Sequence, residues 1–286
     1  MKPDKRFLRQ SKDFWANVRT ISQQAGYTVR GEGTIYVPSV SDMVHALGEV
    51  GLDVGHIVND GKPTEFGERL HAYFKYRAET LNEKVEPRLM TGEQARKLYE
   101  QLHAELSPQC PLPMNKQKKE KKAKAYLTCI INMLVEANCG GNACNYDPRE
   151  LTTVTRGGRP LRTMARRVDG AFPSPVNPVA VWEIKEYYYT TTFGSRVADG
   201  VYESLLDGME LEELREHEDI HIEHLLMVDS HYTWWKCGKS YLCRIIDMLH
   251  MGYVDEVLFG SEVAEELPGI VNGWIAKLEQ RDIDAN

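Results

Sequence analysis

Apolar residues recur at Tyr126, Leu127, Ile130, Ile131, Leu134 and Val135, the spacing of one helical face, and the pattern stops at Gly140-Gly141. This predicts a helix over residues 121–137. Two apolar runs then flank Arg156-Gly157-Gly158-Arg159-Pro160, a turn signal, and predict strands over 151–155 and 161–168. A further strand is expected over 179–189. The breaker-dense stretch Pro173-Ser174-Pro175-Val176-Asn177-Pro178 separates it from the run 166–172, so these two runs read as adjacent strands joined by a loop. Val197, Val201, Leu205, Leu206 and Met209 mark a helix over 195–209. A compact strand over 224–229, an amphipathic helix over 241–251 and a short strand over 254–259 complete the pattern. Strand, helix, strand in succession favours parallel pairing with a right-handed crossover, hence an α/β fold with a central sheet flanked by helices.

Charge interrupts this pattern at one place. Side chains alternate along a strand, so Val181, Glu183 and Lys185 share one face while Trp182, Ile184 and Glu186 share the other. Charged residues on an otherwise buriable strand are uncommon without a role. Asp169 lies in the neighbouring run. Two acids and a lysine at the edge of a strand pair make a hard-oxygen site for Mg²⁺ with a cation beside it, the equipment for attacking a phosphodiester with water.

Asp169, the residues 170–182, and then Glu183-Ile184-Lys185 resemble the Asp…(Asp/Glu)-x-Lys core of the PD-(D/E)XK nuclease superfamily, to which many type II restriction endonucleases belong. The resemblance spans roughly residues 120–262, and Val168 stands where the superfamily's name-giving proline would be. It implies a restriction-endonuclease-like core, ordered as helix, three-stranded meander, helix, strand, with a mixed central sheet. It further implies that Asp169, Glu183 and the Ile184 carbonyl hold Mg²⁺, and that Lys185 orients the attacking water or stabilises charge in the transition state. Glu136, near the end of the first helix, becomes a candidate third metal ligand; the alternative is a solvated glutamate at a helix terminus.

The chain has 286 residues, 42% of them hydrophobic, enough for sizeable cores, and a net charge of −7. That charge is unevenly spread. Residues 116–168 hold twelve basic and four acidic residues, a net of +8, and residues 199–286 hold six and twenty, a net of −14. The basic zone leads into the candidate site. Arg156, Arg159, Arg162, Arg166 and Arg167, with Arg196, are therefore the candidate contacts to a DNA backbone. The lysine-rich run 116–124 reads as a linker.

Residues 1–106 lack the nuclease pattern and are expected to form an N-terminal, mainly helical domain of winged-helix-like character, joined by a linker over 107–119 to the nuclease domain over 120–286. Residues 40–58 resemble a helix-turn-helix, with Met43, Leu47, Val54 and Ile57 at core positions and Gly48 at the turn. Its second helix would offer His56 and Asn59 to DNA, and also Asp53, but no lysine or arginine, which supports base readout poorly. The alternative is a helical subdomain that packs or dimerises. A helix is expected over 93–106.

Six cysteines without a secretory signal point to reduced thiols in a cytoplasm. Cys139 and Cys144 have a zinc-pair spacing, but the gap between Cys237 and Cys243 is loose, and free thiols are the better reading. His217, His221 and His224 read as surface residues. No membrane span is expected. The function implied is a Mg²⁺-dependent endonuclease of double-stranded DNA, above all a type II restriction enzyme working as a homodimer. Two other readings stand beside it: a nuclease directed to DNA structure or modification, and a DNA-binding regulator whose nuclease-like domain is inert.

Overall fold

The computed structural model describes residues 1–117, 120–189 and 194–284, with the side chains of 116, 117, 120–122, 195, 196 and 282–284 left aside. The N-terminal part contains α1 (Lys12–Ala25), α2 (Val40–Gly48), the two-residue strands β1 (Val58–Asn59) and β2 (Lys62–Pro63), and α3 (Glu65–Glu79). Phe14, Val18, Met43, Leu47, Leu70 and Phe74 pack these helices together. A capping box between Ser39 and Asp42 starts α2. The expected helix-turn-helix does not form. Residues 51–57 form turns and irregular backbone rather than a second helix, with Gly51 at φ 71°, and Asp60 and Gly61 at φ 50° and 75° close the β1–β2 hairpin instead.

After a π-helical stretch over Thr80–Val85 come α4 (Gly92–Leu106), the antiparallel pair β3 (Met114–Gln117) and β4 (Glu120–Lys124), and α5 (Tyr126–Asn138). The boundary expected near residue 106 is displaced. Leu98, Tyr99, Leu102 and Leu106 of α4 pack into the same core as α5, so this helix belongs with the C-terminal part of the chain. Lysines expected to begin α5 lie instead in β4, and α5 starts where the Glu186 carboxylate accepts the Thr128 N–H at 3.0 Å and its hydroxyl at 2.9 Å.

Two hairpin strands come next, β5 (Thr153–Arg156) and β6 (Arg159–Thr163), then β7 (Gly170–Phe172), β8 (Ala180–Lys185), α6 (Ser195–Glu218), β9 (Glu223–Val228), α7 (Lys239–Met251), β10 (Glu256–Phe259) and α8 (Glu262–Asp284). The main sheet has the order β10-β9-β8-β7, with β7 antiparallel to β8 and the other pairs parallel. Adjacent strands from the runs around Asp169 and Glu183 are thus present. The meander expected upstream is not a continuous ladder. β5 and β6 form their own sheet, because the chain after Thr163 turns along α6, where the Ala165 N–H is held by the Glu210 carboxylate at 3.1 Å.

The sheet separates two cores. On one face Trp182, Leu225, Met227 and Leu258 meet α5 and α8, and Trp182 stacks on Trp274 of α8 at 5.5 Å. On the other, Leu226, Val228, Val257 and Phe259 meet Val197 and Val201 of α6 and the apolar side of α7. α8 was not anticipated. His224 corrects the surface reading of the histidines: it is 1% exposed, and its Nδ1 lies 2.8 Å from the Tyr253 carbonyl.

The N-terminal helices dock on α7 through a buried charge. Arg77, 1% exposed, donates to both oxygens of Asp247 at 3.0 Å, and the Tyr73 hydroxyl donates to Asp247 at 2.6 Å. Removing one partner of such a pair leaves the other charge buried and unmatched. Asp247→Ala should cost about 3–5 kcal/mol in urea denaturation, and Arg77→Met/Asp247→Leu should be less destabilised than Asp247→Ala alone. A double variant as unstable as that single one would disprove the pairing.

Candidate active site

Pairing between β7 and β8 brings Gly170 opposite Trp182. A Cβ at Gly170 would sit 2.0 Å from the Trp182 ring, so only glycine lets the strands close there. One residue earlier, the Asp169 N–H donates to the Trp182 carbonyl at 3.1 Å and the Asp169 carboxylate accepts the Ile184 N–H at 2.8 Å. Asp169 is thereby fixed against the residue that separates Glu183 from Lys185. Glu183 is fully buried and Lys185 is 5% exposed, and the Lys185 ammonium donates to Glu183 Oε2 at 2.7 Å. The three residues singled out in the sequence therefore form one cluster.

Three residues join them that the sequence pattern places elsewhere or does not mark. Arg166 forms an ion pair with Glu183 Oε1 at 2.9 Å and also donates to Asp207 at 2.5 Å. Asp207 is fully buried. Glu203, half exposed, lies 3.4 Å from both Arg166 and Lys185. Glu203 and Asp207 share one face of α6, four residues apart, with Gly200. A Cβ at Gly200 would come within 3.1 Å of the Lys185 side chain, so the glycine brings the helix close to β8. Two acids at helical spacing beyond a glycine were the available signal.

Four carboxylates face two cations here, and burial together with this imbalance shifts their pKa values. Burial, together with the nearby Glu183 charge, pushes Asp169 up to about 6. Burial and Glu183 likewise push Asp207 up to about 7, and burial prevails even over its contact with Arg166. Glu183 goes the other way: burial disfavours its charge, but Lys185 and Arg166 together hold it below its ordinary value. Lys185 is held above its ordinary value by Glu183 and Asp169 against the opposing effect of burial.

Whether a divalent cation suits this cluster depends on charge and on free donors. The surplus of acid, and a buried Asp207 Oδ1 with no hydrogen-bond partner, both fit a cation. Among the described residues, no group of three or more His, Cys, Asp or Glu side chains is already gathered around one point as a ready metal cage. The residues present therefore fit a divalent cation only as an open site with few protein ligands.

The other candidate residues are dispersed. Glu136 is not brought into the cluster: its helix packs on the Trp182 side of the sheet, whereas Glu183 and Lys185 face the other side, and its carboxylate accepts the Gln109 N–H at 2.9 Å. Arg166, expected at the DNA backbone, lies in the acid cluster, paired with Glu183, Glu203 and Asp207. Arg156 pairs with Glu218 at 3.1 Å and Arg162 with Glu213 at 3.0 Å, ties that pin the β5–β6 hairpin to α6. Arg159 and Arg167 are exposed and carry no ion pair among the described residues. The Arg196 side chain lies outside the described residues. His56 contacts Asn17 at 2.9 Å rather than projecting from a recognition helix, and Asn59 is exposed on the β1–β2 hairpin.

Two family models match the chain. One, a domain of unknown function designated DUF7687, covers residues 90–274, and the other, likewise of unknown function and designated DUF7690, covers residues 1–84. The border between them coincides with the assignment of α4 to the C-terminal unit. No curated protein and no solved structure matches. No helix among the described residues is long and apolar enough to cross a membrane.

The raised titration of Asp169 has a consequence for stability. Its ordinary value is 3.8 and its folded value about 6, so the folded state holds a proton that the unfolded state has released, and folding stability falls as pH rises across that window. Asp169→Asn keeps an oxygen for the Ile184 N–H but cannot ionise. Thermal melts without divalent metal should show this variant more stable than the parent above about pH 6, with the difference shrinking toward about pH 4. A difference independent of pH, or of opposite sign, would contradict the placement of Asp169.

Proposed function

We propose that this chain, which belongs to the DUF7687 family, is a Mg²⁺-dependent endonuclease that hydrolyses phosphodiester bonds in double-stranded DNA. The reading rests on one observation: Asp169, Glu183 and Lys185 converge on a single buried cluster with more acid than base. Asp169, Glu183 and the Ile184 carbonyl would hold the ion. When bound, Mg²⁺ would lower the pKa of a water ligand and offset charge on the phosphorus centre.

The chain's own residues do the remaining work. Lys185, held protonated by its carboxylate neighbours, orients the nucleophilic water or stabilises developing negative charge; as a strong cation it does not act as the base. Arg166 divides its charge between Glu183, Asp207 and Glu203, which keeps α6 against the site. Glu183 Oε1, which faces Arg166 at 2.9 Å, would be the oxygen available to hold the ion. Arg159 and Arg167, free of carboxylate partners among the described residues, supply cations for the phosphate backbone. The restriction-endonuclease-like core agrees with the β7–β8 antiparallel pair, the α6 crossover and the parallel β9, and a two-fold dimer would address both strands of a palindromic site.

Plasmid DNA should be cut by the full chain in Mg²⁺ and left intact in EDTA. Asp169→Ala, Glu183→Ala and Lys185→Ala should each lower the cleavage rate by about a hundredfold or more, with the fold checked by circular dichroism. Undiminished cleavage in the two carboxylate variants would reject the site. The inert-regulator reading has one feature in its favour, the engagement of both Glu183 oxygens by Lys185 and Arg166. DNA that is shifted in a gel but uncut at every Mg²⁺ concentration would establish it instead.

A further inference from the structure

A cavity of about 500 Å³ opens between α1 and the helix pair α6 and α7, with walls from both family units. Arg19, Gln23 and Tyr27 come from one side, and Tyr202, Arg244 and Met248 from the other. The Arg244 guanidinium donates to the Tyr202 hydroxyl at 2.6 Å and to the Tyr27 hydroxyl at 3.3 Å, and lies 5.2 Å from the Tyr27 ring centre and 4.9 Å from that of Tyr241. Arg19 donates to the Met251 sulfur at 3.3 Å, a weak acceptor. Among the described residues neither arginine is paired with a carboxylate. The acid that lines the cavity, Asp247, is already neutralised, with both oxygens occupied by Arg77 and Tyr73.

The wall therefore presents two uncompensated guanidinium groups, tyrosine faces and side-chain amides, in a protein whose net charge is −7. Guanidinium groups bind phosphate through paired N–H donors, tyrosine rings stack on planar heterocycles, and amides read their polar edges. The volume falls within the roughly 300–1,000 Å³ typical of small-molecule sites. A bare inorganic anion would leave the tyrosines unused, and a neutral aromatic would leave the charges unused.

We infer that this cavity binds a nucleoside monophosphate, with the phosphate on Arg19 and Arg244 and the base against Tyr27 and Tyr202. The same chemistry is offered by a free mononucleotide and by the 5′-phosphorylated end of a strand.

Isothermal titration calorimetry of the full chain in EDTA, with AMP, GMP, CMP and UMP in turn and with a 5′-phosphorylated dinucleotide, tests this. Saturable binding of at least one probe is expected, weakened about tenfold or more in Arg19→Met and in Arg244→Met. Arg19 is exposed on α1, so its variant reports binding even if Arg244→Met does not fold. Binding confined to the dinucleotide and lost in the same variants would support the site and identify a strand end as its source. Absence of saturable binding by all probes, or binding unchanged in Arg19→Met and in any folded Arg244→Met, would overturn the inference. Because the titration is done without metal and judged on Arg19, its failure is distinct from a failure of the nuclease reading.

Discussion

Glu183 carries a negative charge in the middle of a buried strand, and the geometry around it stems from the need to compensate that charge. An ionised carboxylate removed from water costs several kcal/mol unless matched. Lys185 supplies the first match from two residues along the same strand face. The second comes from Arg166, and reaching Glu183 requires the chain between β6 and β7 to run against α6 instead of extending the sheet. Arg166 in turn binds Asp207 and Glu203, so the same guanidinium fixes the approach of α6 to β8. Compensation remains incomplete. Burial beside the Glu183 charge pushes both Asp169 and Asp207 toward the neutral form.

Much of this was legible in the chain because it depends on short-range periodicity. The alternation along 181–186 placed Glu183 and Lys185 on one face, and the proline-rich loop identified β7 and β8 as neighbours, which brings Asp169 alongside. Arg166, Glu203 and Asp207 were missed for a different reason. Their roles exist only once α6 crosses β8, and two acids four apart on a helix look the same when they face solvent. The place of Arg166 in the cluster was hidden because it lies in a run of arginines whose other members reach the surface. Glu136 was carried into the site by resemblance, yet the side of the sheet on which α5 packs is a tertiary choice that its own pattern does not encode.

The N-terminal third shows a local signal overriding a longer pattern. Apolar residues at 43, 47, 54 and 57 do form a core, as the helix-turn-helix reading required. The backbone between them cannot be helical with Gly51 in the left-handed region, and the adjacent Asp60-Gly61 turn favours a hairpin. Apolar spacing therefore identified which residues are buried but not the conformation that buries them.

Joining the two units changes the electrostatics of their border. Asp247 would give the cavity a negative wall if its charge were free, but the Arg77 and Tyr73 contacts that dock α3 on α7 consume both of its oxygens. Docking therefore leaves Arg19 and Arg244 as the uncompensated charges of that space. α6 links this border to the acid cluster, since Tyr202 faces the cavity and Glu203, the next residue, faces Arg166 and Lys185. Successive residues on a helix point about 100° apart, so one helix can line both places without sharing a side chain between them. The same packing that assembles the acid-rich cluster on one side of α6 thus creates an anion-seeking cavity on the other.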